Sequence, residues 1–149
     1  MKQSILVIAA FMFLHIVHAQ NPHWKKRAHG TTVNYYHSDG KLMESWNVDK
    51  NGKLLNSNLG FAIIKYKYDK KGNITKQSHL DSLRNPSVDN LGVSIYKFKY
   101  DKNNNKIYQG HFGKDGKLMQ TNNNILHTEW FWKYSKDNKL KKTKTKNKF

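Results

Sequence analysis

The sequence holds no cysteine, and only ten acidic residues against 27 lysines and arginines. Without a thiol there is no disulfide framework, no cysteine nucleophile and no sulfur-linked lipid anchor. An exported domain of this kind must be held by its sheet and its packing alone. The scarcity of acids excludes more. Asp39, Asp49, Asp69, Asp101, Asp115 and Asp137 sit beside turn-forming residues, where aspartate bonds local backbone N–H groups. A catalytic pair needs two carboxyls converging in an apolar pocket, and nothing in the spacing points to one. There is also no GxSxG, no HExxH and no phosphate-cradling glycine loop. No catalytic residue and no cofactor is expected, and the chain reads as non-enzymatic.

Long apolar runs are absent too, except at the start. MKQSILVIAAFMFLHIVHAQ has a cationic Lys2, an apolar stretch from Ile5 to Val17 and a small-residue exit at Val17-His18-Ala19. That is the pattern of a signal peptide cleaved after Ala19. The stretch is shorter than the roughly 18–20 apolar residues of a membrane span, and His15 interrupts it. The expected mature chain, Gln20 to Phe149, has no other segment able to span a membrane, and an exported location, periplasmic or secreted, is expected. It divides into a basic N-terminal segment over 20–32, a domain over 33–143 and a basic tail over 144–149. Loss of Lys2 lowers the formal net charge from +17 to +16.

What is present is repetition. NLGFAIIKYKYDKKGN, Asn58 to Asn73, returns 32 residues later as NLGVSIYKFKYDKNNN, with ten of sixteen positions identical. Tyr36, Tyr68 and Tyr100 keep the same spacing, Tyr134 follows after 34, and each precedes a turn signal near Gly40, Gly72, Asn104 or Asn138. Val48, Leu80 and Phe112 form a second column, so the period is real rather than a single coincidence. Within AIIKYKYD the rings and aliphatics alternate with Lys65 and Lys67, which predicts a strand with two unlike faces. KLMESWNV, NITKQSHL and NKIYQGHF read as return strands. The expected fold is all-β: an antiparallel meander of about eight strands built from repeats of about 32 residues, with no helix. The connecting segments, with Leu54, Leu59, Leu91 and Leu118, are expected to fold back and cover part of the sheet.

YKYDKKGN (Tyr66 to Asn73) and FKYDKNNN (Phe98 to Asn105) resemble the YD-type, RHS-like repeats of bacterial exported and cell-envelope proteins. The likeness extends from about Tyr35 to Leu140, with VDKNGKLLNSNLGFAIIKYKYDKKGN as its best segment. The last unit departs from it with Ser135 and Asn138, and the first with His37 in place of the aspartate. The resemblance implies an exported β-repeat domain. The shell-forming activity of large RHS proteins does not carry over to a chain too short to enclose anything.

Charge is the strongest remaining signal. Lys65, Lys67, Lys97, Lys99 and Lys133 recur on the predicted strands, and are the candidate polyanion-binding residues. The alternative is a solvated face whose charge discourages sheet-to-sheet aggregation. Tyr66, Phe98, Trp130 and Trp132 form a candidate stacking face, or else the dry side of the sheet. An acidic polysaccharide or an envelope protein is the expected partner, with nucleic acid the less natural target outside the cytoplasm. No metal site is expected. His79 and His111 are equivalent positions two strands apart, about 10 Å, whereas zinc ligands lie about 2 Å from the ion.

Overall fold

The computed structural model describes residues 26–27, 31–119 and 128–146. The expected leader lies outside the described residues, as do 120–127 and 147–149. The strands are β1 (Lys26–Arg27), β2 (Thr31–Tyr36), β3 (Leu42–Val48), β4 (Ile63–Tyr68), β5 (Ile74–Leu80), β6 (Ile95–Tyr100), β7 (Lys106–Phe112), β8 (Glu129–Tyr134) and β9 (Leu140–Lys146). They form one antiparallel sheet in the order β1 to β9, each strand paired only with its neighbours in sequence. Among the described residues there is no helix. The expected meander is therefore found: eight strands of six or seven residues, with the two-residue β1 added at one edge. Among the described residues β1 and β9 do not meet, so the sheet they form is open.

The tight hairpins share one turn chemistry. In Asp69–Asn73 the Asp69 N–H donates to the Asn73 carbonyl at 2.9 Å and the Gly72 N–H donates back to Asp69 at 3.1 Å. The Asp69 carboxylate accepts from the N–H groups of Lys71 and Asn73, both at 2.9 Å. A type I turn of this kind followed by a left-handed residue adds one residue to the returning strand. That extra residue shifts the register at four places: between Tyr35 and Tyr36, between Lys67 and Tyr68, between Lys99 and Tyr100, and between Lys133 and Tyr134.

The first two connectors use the same device twice each, and the described part of the third uses it once. After β3, β5 and β7 the chain turns and bridges back, Val48 to Leu54, Leu80 to Pro86 and Phe112 to Leu118. Gly60 shows why one residue type is needed there. Its φ is +91°, and a Cβ would lie 2.8 Å from the backbone carbonyl oxygen of Val88 in the next connector. The connectors thus fold back as expected, and at their junction with the strands sits the small core of Val48, Ala62, Ile63 and Val93. Leu54 and Leu118 are partly covered, but the other two leucines do not follow. Leu59 and Leu91 stay about half exposed, because each lies in a turn whose backbone, not its side chain, is what packs.

The basic C-terminal run is also more ordered than its composition suggests. β9 extends to Lys146 and pairs along its whole length with β8, so the expected domain boundary at 143 falls inside a strand.

Candidate functional site

Register sorts the side chains onto two faces. Residues directly opposite each other share a face, and alternation carries that face along each strand. On one face lie all five lysines singled out from the sequence, Lys65 and Lys67 on β4, Lys97 and Lys99 on β6, and Lys133 on β8. The pairing brings in a residue that sequence reasoning missed. Lys76 of β5 stands opposite Lys67 on one side and opposite Lys97 on the other, giving an unbroken row Lys67–Lys76–Lys97 across three strands. Neighbouring strands lie about 4.8 Å apart, half the spacing the repeat alone implies. Lys133 likewise faces Lys142.

Like charges directly opposite one another destabilise a sheet. Burial first, and then the charges of Lys67, Lys97 and Lys65, push the Lys76 ammonium below its ordinary value. Among the described residues, none of Lys67, Lys76, Lys97 and Lys99 makes an ion pair. Two of them have rings as neighbours. Lys97 Nζ sits 4.0 Å above the Phe112 ring and Lys99 Nζ 5.3 Å above Tyr108. Gly110 makes room for this packing, since a Cβ there would meet Phe112 at 2.9 Å.

The two glutamates on this face are already engaged. Glu44, 5% exposed, accepts from Arg84 Nη2 at 3.0 Å and from Trp46 Nε1 at 2.7 Å, and Lys65 Nζ lies 3.5 Å away. Burial raises its pKa, but the Arg84 guanidinium, the Trp46 N–H and Lys65 together hold the carboxyl below its ordinary value. Arg84 reaches Glu44 from a turn position with φ +67°, where most of the equivalent turns carry glycine. Glu129 accepts a hydrogen bond from Tyr108 at 2.9 Å. The eight aspartates all lie in turns at the sheet's two ends. Charge is therefore segregated: the aspartates lie in the turns, both glutamates are engaged, and among the described residues Lys67, Lys76, Lys97 and Lys99 stand without an ion pair on one face.

The opposite face carries Tyr66, Phe98, Trp130 and Trp132, the candidate stacking residues. None is buried; all four are partly exposed. The return strands interleave them with polar groups, as Gln77 opposes Tyr66 and Gln109 opposes both Phe98 and Trp130. The sequence-predicted lysines and rings are thus on opposite sides. The rings beside lysines on the lysine face are Tyr108, Phe112 and Phe131, with Trp46 beside Arg84, and of these four only Phe112 stood in a repeat column.

His79 and His111 also lie on this second face. Their rings flank Tyr96, at centroid distances of 5.7 and 4.7 Å, so they are neighbours of Tyr96 and not of each other. No group of three or more metal-binding side chains occurs among the described residues. Burial pushes His111 down to about 4, opposed by the Asp89 charge, and its Nδ1 has no partner among the described residues. The unfolded imidazole takes a proton near 6.5, while the folded one stays neutral until about 4. Stability is full above pH 6.5 and falls as the pH drops towards 4. The urea midpoint is expected to decline already between pH 6.5 and 5, before carboxylates titrate, and His111→Gln is expected to flatten that part of the curve. An unchanged slope would place the effect elsewhere.

Compared with protein-family models and with curated proteins, the chain matches none.

Proposed function

We propose that the chain is an exported, non-enzymatic binding module whose lysine face takes an anionic polymer, an acidic glycan of the cell envelope being the natural target. The observation that carries this reading is the row Lys67–Lys76–Lys97, three ammonium groups in register with no carboxylate paired to any of them among the described residues. A solvated face needs lysines, but it does not need them opposite one another, where they oppose folding. A phosphate, sulfate or carboxylate seated over the row removes that repulsion and gains three charge-assisted contacts. The YD-type family and its repeat remain part of the proposal, supported by the same register shift recurring before Tyr36, Tyr68, Tyr100 and Tyr134.

A second reading, a structural or protein-interaction module, is favoured by the open edge at β9. Its seven residues LKKTKTK include four lysines, which blunt an edge against indiscriminate pairing yet leave it available to an acidic strand.

Salt separates the two. Binding of the mature chain to a sulfated polysaccharide and to duplex DNA is to be measured from 50 to 200 mM salt. Three neutralised charges predict a log–log slope of about −2.7 on DNA, hence a loss of roughly 40-fold over that range. Tighter binding to the polysaccharide than to DNA at equal salt supports the glycan. Absence of binding to either at 50 mM overturns the polyanion reading and leaves the edge.

A further inference from the structure

A cleft of about 440 Å³ opens on the face opposite the lysine row, between the first two connectors and strands β4 to β7. Its lining combines rings with polar groups whose orientation is already set. His79 is 2% exposed, and its Nδ1 lies 2.9 Å from the Val93 carbonyl. A carbonyl can only accept, so that nitrogen carries a proton, and in the neutral imidazole Nε2 is the acceptor. Gln77 Nε2, 3.1 Å away, must then be the donor. This leaves the Gln77 carbonyl oxygen and its second amide hydrogen for the cleft. Gln109 Nε2 likewise lies 3.1 Å from His111 Nε2, although no carbonyl among the described residues anchors the His111 Nδ1, and Gln109 Oε1 accepts from Lys106 Nζ at 3.2 Å.

The walls beside these amides are aromatic. Tyr96 and Phe98 lie parallel, with centroids 6.5 Å apart and planes within 5°. Lys106 Nζ stands 5.4 Å over Phe98, because the register shift before Tyr100 turns Lys106 onto this face. Asp89 also borders the cleft, but its carboxylate is taken up by the N–H groups of Leu91 and Val93 and by the Tyr96 hydroxyl at 2.5 Å. One cation and one engaged carboxylate leave the cleft without the net charge that would select a polyanion.

We propose that this cleft binds a pyranose ring of a short oligosaccharide, independently of the lysine face. A pyranose has an apolar C–H side that lies against an aromatic ring and a rim of hydroxyls that each donate and accept. Two carboxamides held by buried imidazoles offer the matching donors and acceptors in fixed positions, which reduces the entropy lost on binding. Burying two histidines merely to orient surface glutamines brings no evident gain in stability, since each imidazole must be desolvated.

The test uses the mature chain on an array of neutral, amino and acidic pyranose oligosaccharides in 0.5 M salt, where the lysine face is screened. The best binder is then titrated against Phe98→Ala, Gln77→Ala and Lys106→Gln, with thermal melts to verify that each variant folds. Expected are binding that persists at 0.5 M salt and at least a tenfold loss in Phe98→Ala and Gln77→Ala. Lys106→Gln alters a partly exposed side chain, so its smaller loss is readable even if another variant fails to fold. No oligosaccharide retained at 0.5 M salt overturns the proposal. So does binding unchanged in all folded variants, or sedimentation showing the cleft face closed by a second copy of the chain.

Discussion

Replacing Lys67, Lys76 and Lys97 together by glutamine is expected to weaken polyanion binding by roughly 10- to 100-fold at 0.15 M salt and to reduce the salt slope by about 2.7. The same change is expected to stabilise the fold slightly. Two directly opposed like-charge pairs, Lys67 with Lys76 and Lys76 with Lys97, disappear, each unfavourable by about 0.2–1 kcal/mol. Opposite signs in one variant are what distinguish a binding row from a solvated face. The control removes equal charge from exposed turns: Lys50, Lys70 and Lys102 to glutamine. If the control weakens binding as much as the row, affinity follows net charge and the register is irrelevant.

Ile63→Ala is expected to lower stability by about 2–5 kcal/mol, a large part of the roughly 5–15 kcal/mol that holds an ordinary domain. Ile63 is 0% exposed and lies opposite Trp46 on β3 and Leu80 on β5. The sheet has no second layer of strands or helices among the described residues, so the cavity has few apolar neighbours able to relax into it. Urea unfolding of Ile63→Ala beside Leu83→Ala measures this directly. Leu83, 80% exposed, is expected to change stability by no more than about 0.5 kcal/mol. A cost below about 1 kcal/mol at Ile63 would mean that the hydrogen-bonded ladder and the aromatic contacts, not the core, carry the fold.

Much of the architecture was legible because it is local. Alternation in IIKYKY and IYKFKY placed the lysines on one face and the rings on the other before any pairing was known. The turn signals at Gly40, Gly72, Asn104 and Asn138 correspond to positive-φ residues. Aspartates beside turns could be read as backbone acceptors, and Asp49, Asp69 and Asp101 each accept two N–H groups. In each case one residue's chemistry and the two-residue period of a strand suffice.

The rest depended on which residues meet across strands. Each register shift moves a return strand by one residue, and a one-residue slip reverses which face a side chain occupies. That is how Lys76 came to complete the lysine row and Lys106 came to lie among the rings, neither of which composition or spacing reveals. Arg84 reaches Glu44 across 40 residues of sequence. β9 is a strand because β8 offers it a partner, although LKKTKTK alone resembles a solvated tail. Strand identity and turn position come from short-range sterics and hydrogen bonding, which the sequence carries residue by residue. The composition of each face, and with it the candidate sites, is set by long-range register, which exists only once the sheet has formed.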